Sequence, residues 1–160
     1  MNQSIERTTL SNLVTNEEYC RKVLPFIKPD YFDVKEERVV FEEITNFVEK
    51  YKRIPTKISL EIEVETRKDL TEDQHKKIVE IIQTLDATDV DMEWLVDTTE
   101  KFCKDKAIYN AIVDGISIID GKDKKRSPDA IPSILTDALA VGFDNAVGHD
   151  YFDDSDKRFE

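Results

Sequence analysis

Residues 91–143 read DMEWLVDTTEKFCKDKAIYNAIVDGISIIDGKDKKRSPDAIPSILTDALAVGF, and the fold turns on how this stretch is interpreted. Leu95, Thr98, Phe102, Tyr109, Ile112, Ile116 and Ile119 recur at steps of three, four or seven. That is the spacing of a helix that buries one seam. One slot holds Asp105 instead of an apolar residue. Such an acid is either buried against a partner charge, fixing register, or marks where the seam rolls to the surface. A shorter apolar arm follows, with Ile131, Ile134, Leu135, Ala138, Leu139 and Gly142. Between the arms runs GKDKKRSP, residues 121–128, a basic turn that no apolar face can use. Ala107, Ala111, Gly115, Ala138, Ala140 and Gly142 are small enough for helices to approach closely. The stretch predicts a long antiparallel helical hairpin. A hairpin has too little core of its own. The rest of the chain, a second copy, or both must cover its seam.

Upstream, residues 4–14 predict a short helix with Ile5, Leu10, Leu13 and Val14 inward. Thr15 followed by Glu18 reads as a capping box opening a second helix near Asn16, with Tyr19, Val23 and Leu24 inward. Pro25 disturbs its end. Pro29-Asp30-Tyr31-Phe32 predicts a turn whose two aromatics plug the core. From Lys35 to Tyr51 a helix places Val40, Phe41, Ile44, Phe47, Val48 and Tyr51 on one face. Ile58, Leu60, Ile62 and Val64 alternate with polar residues, the pattern of a strand. No second strand is legible nearby, and a lone strand leaves backbone groups unmet, so helix or irregular structure is the preferred reading. Thr71 and Gln74 form another capping box, opening a helix toward Leu85 with Ile78, Ile81 and Ile82 inward. Asp89 and Asp91 offer N-caps for the long arm.

The expected organisation is therefore all-α: a small helical bundle over residues 1–90, the hairpin over 91–143, and the start of a linker over 144–160. At 160 residues the chain is one domain, or one small domain plus an appendage. Cys20 and Cys103 sit inside apolar periodic stretches, without metal-type spacing, and read as reduced core thiols of a cytosolic protein. No apolar run approaches the ~20 residues of a membrane span. The net charge is −12, so there is no basic surplus for gripping phosphates. Lys122, Lys124, Lys125 and Arg126 form the one basic cluster, read as a solvated turn.

Catalytic signatures are missing from the sequence. Four scattered glycines make no phosphate-binding loop. His75 lies in a lysine-rich helix and reads as exposed; Trp94 reads as core or interface. His149 precedes Asp150, Asp153, Asp154 and Asp156, but the set lacks the glycine and closing glutamate of a calcium loop. An acidic linker is the preferred reading, and neither catalytic residues nor a metal or cofactor site is assigned. Asp156 to Glu160 reads as the opening of a further element, so the sequence is expected to continue.

The order of these features carries a resemblance. A short helix, Tyr19 to Leu24, Pro29-Asp30-Tyr31-Phe32, Val39-Val40-Phe41-Glu42-Glu43-Ile44, a hairpin after Trp94 and an acidic tail follow one another. Asp91 to Val96, Thr99-Glu100-Lys101-Phe102, Ala130 to Ile134 and above all Val147 to Asp154 add detail. Together they resemble the N-terminal domain of DnaB-type replicative DNA helicases, most of all those of T-even-like bacteriophages. The resemblance implies a bundle plus hairpin, pairing through the hairpin, and a collar built as a trimer of dimers above six motor domains. It implies a primase partner and a cytoplasmic location in the host cell. It also implies a longer parent whose motor domain binds ATP and Mg²⁺ and moves 5′ to 3′ on single-stranded DNA. No position matches the family's phosphate loop. Leu95, Phe102, Tyr109, Ile112, Ile116, Ile119, Ile131, Leu135 and Ala138 are the expected subunit contact. Phe102→Asp is expected to break it and leave the bundle folded. The alternative expectation is a free-standing acidic helical adaptor of a phage.

Overall fold

Helix caps set the element boundaries in the computed structural model, which describes residues 4–143. Ser4 accepts from the Arg7 N–H at 3.1 Å and opens α1, Ile5–Thr15. Asn16, not Thr15, caps α2, Glu17–Val23, by accepting from the Tyr19 N–H at 3.0 Å. Thr15 still belongs to α1, and its hydroxyl donates to the Ser11 carbonyl. The expected box is therefore replaced by a one-way cap a residue later, because Asn caps as well as Thr. Two short 3-10 turns, Leu24–Phe26 and Pro29–Tyr31, lead to α3, Lys35–Tyr51, which ends with Lys52 in the left-handed region. Two-way capping boxes open α4, Lys57–Glu65, at Thr56 and Ser59, and α5, Glu72–Gln83, at Thr71 and Gln74. Asp91 caps the long α6, Met92–Ile119. A third 3-10 turn, Pro128–Ala130, precedes α7, Ile131–Leu139. The described residues are all helix and connection, with no strand.

Residues 58–64 are helical, and the alternating pattern there has a different cause. Leu60 and Val64, one turn apart, are buried, while Ile58 and Ile62 point outward. The same division trims the face expected for α3. Val40, Phe41, Ile44 and Val48 are buried, but Phe47 and Tyr51 lie outside the core. Their rings are 4.7 Å apart, with the Arg53 guanidinium over both. Trp94 is likewise exposed.

The core of α1–α5 is closed by the first half of α6. Leu95, Thr99, Phe102 and Cys103 are buried there. Phe102 meets Tyr31 and Phe32 edge-on, with ring centres 6.4 and 5.9 Å away. The two aromatics of the Pro29–Phe32 turn thus hold α6 against the bundle. A polar pin adds to this. Tyr19 Oη and Thr99 Oγ1 are 2.6 Å apart, and the Thr99 hydroxyl donates to the Leu95 carbonyl at 2.7 Å. Burial pushes the Tyr19 phenol up to about 12, so it stays a neutral donor. Cys20 and Cys103 are buried free thiols, each also pushed up to about 12 by burial. Surface ties fix α4: Arg67 bonds Glu42, Glu43 and Asp69 at 2.9–3.1 Å, joining its C-terminal end to α3.

Candidate self-association face on the hairpin

Beyond Cys103 the buried side of α6 rotates. Ala107, Ala111, Gly115 and Ile118 turn inward, at steps of three and four. These residues are small, so α7 lies close against them. A Cβ placed on Gly115 would stand 3.8 Å from Ile131 Cγ2. Ala138 is buried in the same contact, and Ile131 and Ile134 are half-buried. Asn110 steadies this half by donating from its side chain to the Asp30 carbonyl at 3.0 Å. Lys106 reaches Asp33 at 2.6 Å and sits over the Tyr109 ring.

The turn between α6 and α7 is tied internally. Gly121, at φ 78°, supplies the left-handed step. The N–H groups of Lys122 and Asp123 both donate to the Ser117 carbonyl. The Asp123 carboxylate takes the Arg126 guanidinium and the Lys125 N–H, and that hydrogen bonding holds its pKa below the usual range. Arg126 also lies 3.8 Å from Asp114. The basic turn therefore spends part of its charge on its own acids.

The nine residues expected to make the subunit contact do not share one surface. Leu95 and Phe102, the latter 7% exposed, are part of the protomer's own core and cannot reach a partner. This overturns the idea that Phe102→Asp spares the bundle, because a carboxylate there would be buried among aromatic rings. Ala138 is spent against α6, and Ile131 is half-spent. Tyr109, Ile112, Ile116 and Ile119 are exposed, Ile119 at 71%. Leu135 is at the margin of exposure. Val113 and Leu139 extend the uncovered set and were absent from the expected contact. Val113 stands four residues after Tyr109, so a broader helical stripe finds it. Asp105 lies in the open, paired with Lys101 at 2.7 Å, at the N-terminal end of the exposed stripe. Of the two readings offered by the sequence, the surface one holds.

Among the described residues no three His, Cys, Asp or Glu side chains converge to hold a metal ion. His149 and its aspartates lie outside the described residues. The 160-residue sequence contains no Gly-rich Lys-Ser or Lys-Thr phosphate-binding loop. Among the described residues no helix is long and apolar enough to cross a membrane. The described residues form a helical module, a bundle and hairpin that leave an apolar stripe uncovered.

Comparison with known proteins names that module. The family model for the DnaB-like helicase N terminal domain matches residues 1–90, more than half of the chain. The chain belongs to this family. It is also 32% identical over 158 residues to a protein of Enterobacteria phage T4 described as a DnaB-like replicative helicase. That match takes in 94% of this chain and 33% of the T4 protein, so the chain spans about a third of its relative's length.

Proposed function

We propose that this chain is the non-catalytic collar domain of a phage replicative DNA helicase, assembling through the outer face of its hairpin. One observation carries the reading. Tyr109, Ile112, Val113 and Ile116 form a continuous uncovered stripe on a helix whose opposite side is already packed. Burying one isoleucine contributes ~1.5–3 kcal/mol. Each stripe residue is already about half covered, so several together supply a drive toward pairing of which an association cost of about 4–15 kcal/mol removes much. Leu135 and Leu139 of α7 widen the patch. In the longer parent, dimers of this kind assemble as a trimer into a hexameric collar and dock the primase. The motor domain beyond supplies ATP and Mg²⁺ binding, grips single-stranded DNA and unwinds the duplex 5′ to 3′ in the host cytoplasm. None of that chemistry falls to residues of this chain.

Sedimentation of the 160-residue chain tests the contact. The wild type should move as a concentration-dependent dimer or larger species, and Ile112→Asp/Ile116→Asp as a monomer with an unchanged melting curve. A variant that sediments like the wild type removes the proposed face. Sequencing the native reading frame past Glu160 tests the parent: a phosphate loop downstream supports the helicase collar, and an immediate stop favours a free-standing adaptor.

A further inference from the structure

A second apolar surface lies on different elements from the hairpin. Ile58 and Ile62 stand one turn apart on the outer face of α4, 70% and 55% exposed. Glu65, near the C-terminal end of the same helix, lines an open cleft of about 620 Å³ together with His75, Lys76, Val79 and Glu80 of α5. The bundle has no need of this face. Leu60 and Val64 anchor α4 from its other side. The carboxylates here are also unspent. Arg67 takes Glu42 and Glu43, yet among the described residues no cation pairs with Glu61, Glu65 or Glu80. Lys57, at the N-terminal end of α4, is engaged by Asp86 and the Gln83 carbonyl. Lys76 is the one lysine on the cleft.

We propose that the α4–α5 face docks a cationic amphipathic helix of a partner protein. The helix seats its apolar side on Ile58, Ile62 and Val79 and aims its lysines or arginines at Glu61, Glu65 and Glu80. Ile58 and Ile62, one turn apart on α4, present a narrow apolar ridge against which the apolar side of a partner helix can pack. An added strand is excluded by the lack of a sheet edge among the described residues, and a proline-rich segment by the lack of aromatic lining. The chain's charge of −12 also favours a basic partner, steering its approach and repelling an acidic one. This inference goes beyond self-association and does not depend on it.

The test uses the 160-residue chain and two labelled 18-residue probe peptides: an amphipathic leucine–lysine helix and its leucine–glutamate counterpart. Fluorescence anisotropy should show the lysine peptide binding, with affinity falling as salt rises, and the glutamate peptide failing to bind. Ile58→Ser/Ile62→Ser should weaken binding at least tenfold. Glu61→Gln/Glu65→Gln should weaken it several-fold and flatten the salt dependence. Ile112→Asp/Ile116→Asp should bind the peptide as the wild type does, even where self-association is lost. Melting curves check that the variants are folded, and the glutamine pair carries the test if the serine pair is not. The inference is overturned by equal binding of both peptides or by no binding of the lysine peptide. It is equally overturned if the hairpin variant loses affinity while the α4 variants keep it.

Discussion

The two halves of α6 have nearly the same apolar pattern and opposite fates. In the first, Leu95 and Phe102 are sealed against α1, α2 and the Pro29–Tyr31 turn. In the second, Tyr109, Ile112 and Ile116 continue the same seam into open solvent, because the buried side has rotated to Ala107, Ala111 and Gly115. At about 100° per residue, steps of seven keep Leu95, Phe102, Tyr109 and Ile116 on one side of the helix. What differs is the cover. The lesson is that periodicity reports which residues need burial, whereas the surrounding chain decides whether they get it.

The sharpest way to break this contrast is to truncate each half alike. Phe102→Ala should cost about 3–5 kcal/mol of folding stability, read by thermal or urea unfolding, since it opens a cavity beside Tyr31 and Phe32. The same truncation, Ile116→Ala, should leave unfolding within about 0.5 kcal/mol at low concentration. If both halves lose equal stability, the exposed half is covered after all. A smaller effect is expected at the polar pin. Thr99→Val should cost about 1–3 kcal/mol, because the Tyr19 hydroxyl loses a buried partner. Smallest is Asp91→Ala, which removes the N-cap of α6 and should cost about 1 kcal/mol, seen as a modest drop in melting midpoint.

Local chemistry was the most legible part of the sequence. Thr71 with Gln74, and Asp91, cap the helices that their types and spacing predicted, since a cap depends on neighbours within three residues. The one slip, Thr15 for Asn16, came from two adjacent residues that both cap well. The bundle core also followed from pattern, with Phe41, Ile44, Ile78 and Ile82 all buried. The pattern was least informative wherever an apolar residue serves the surface. Ile58 and Ile62 mimicked a strand because they alternate with the buried Leu60 and Val64. Phe47 and Tyr51 looked like core and instead meet each other at a tilt beneath Arg53. Phe102 looked like contact face and is core, because the turn that brings Tyr31 and Phe32 against it lies some seventy residues earlier in the chain. The candidate face was therefore half legible: Tyr109, Ile112, Ile116, Ile119 and Leu135 are exposed as the pattern required, whereas Leu95, Phe102 and Ala138 are buried within the protomer.

Helix α6 runs 28 residues without a proline, and its single glycine, Gly115, is braced by Ile131. At 1.5 Å per residue it is a rod of roughly 42 Å. It has no hinge to absorb a twist, since sharp bends need a proline, a bulge or an inserted group. Any torque applied to the outer face near Ile116 is delivered to the Phe102 aromatic cluster.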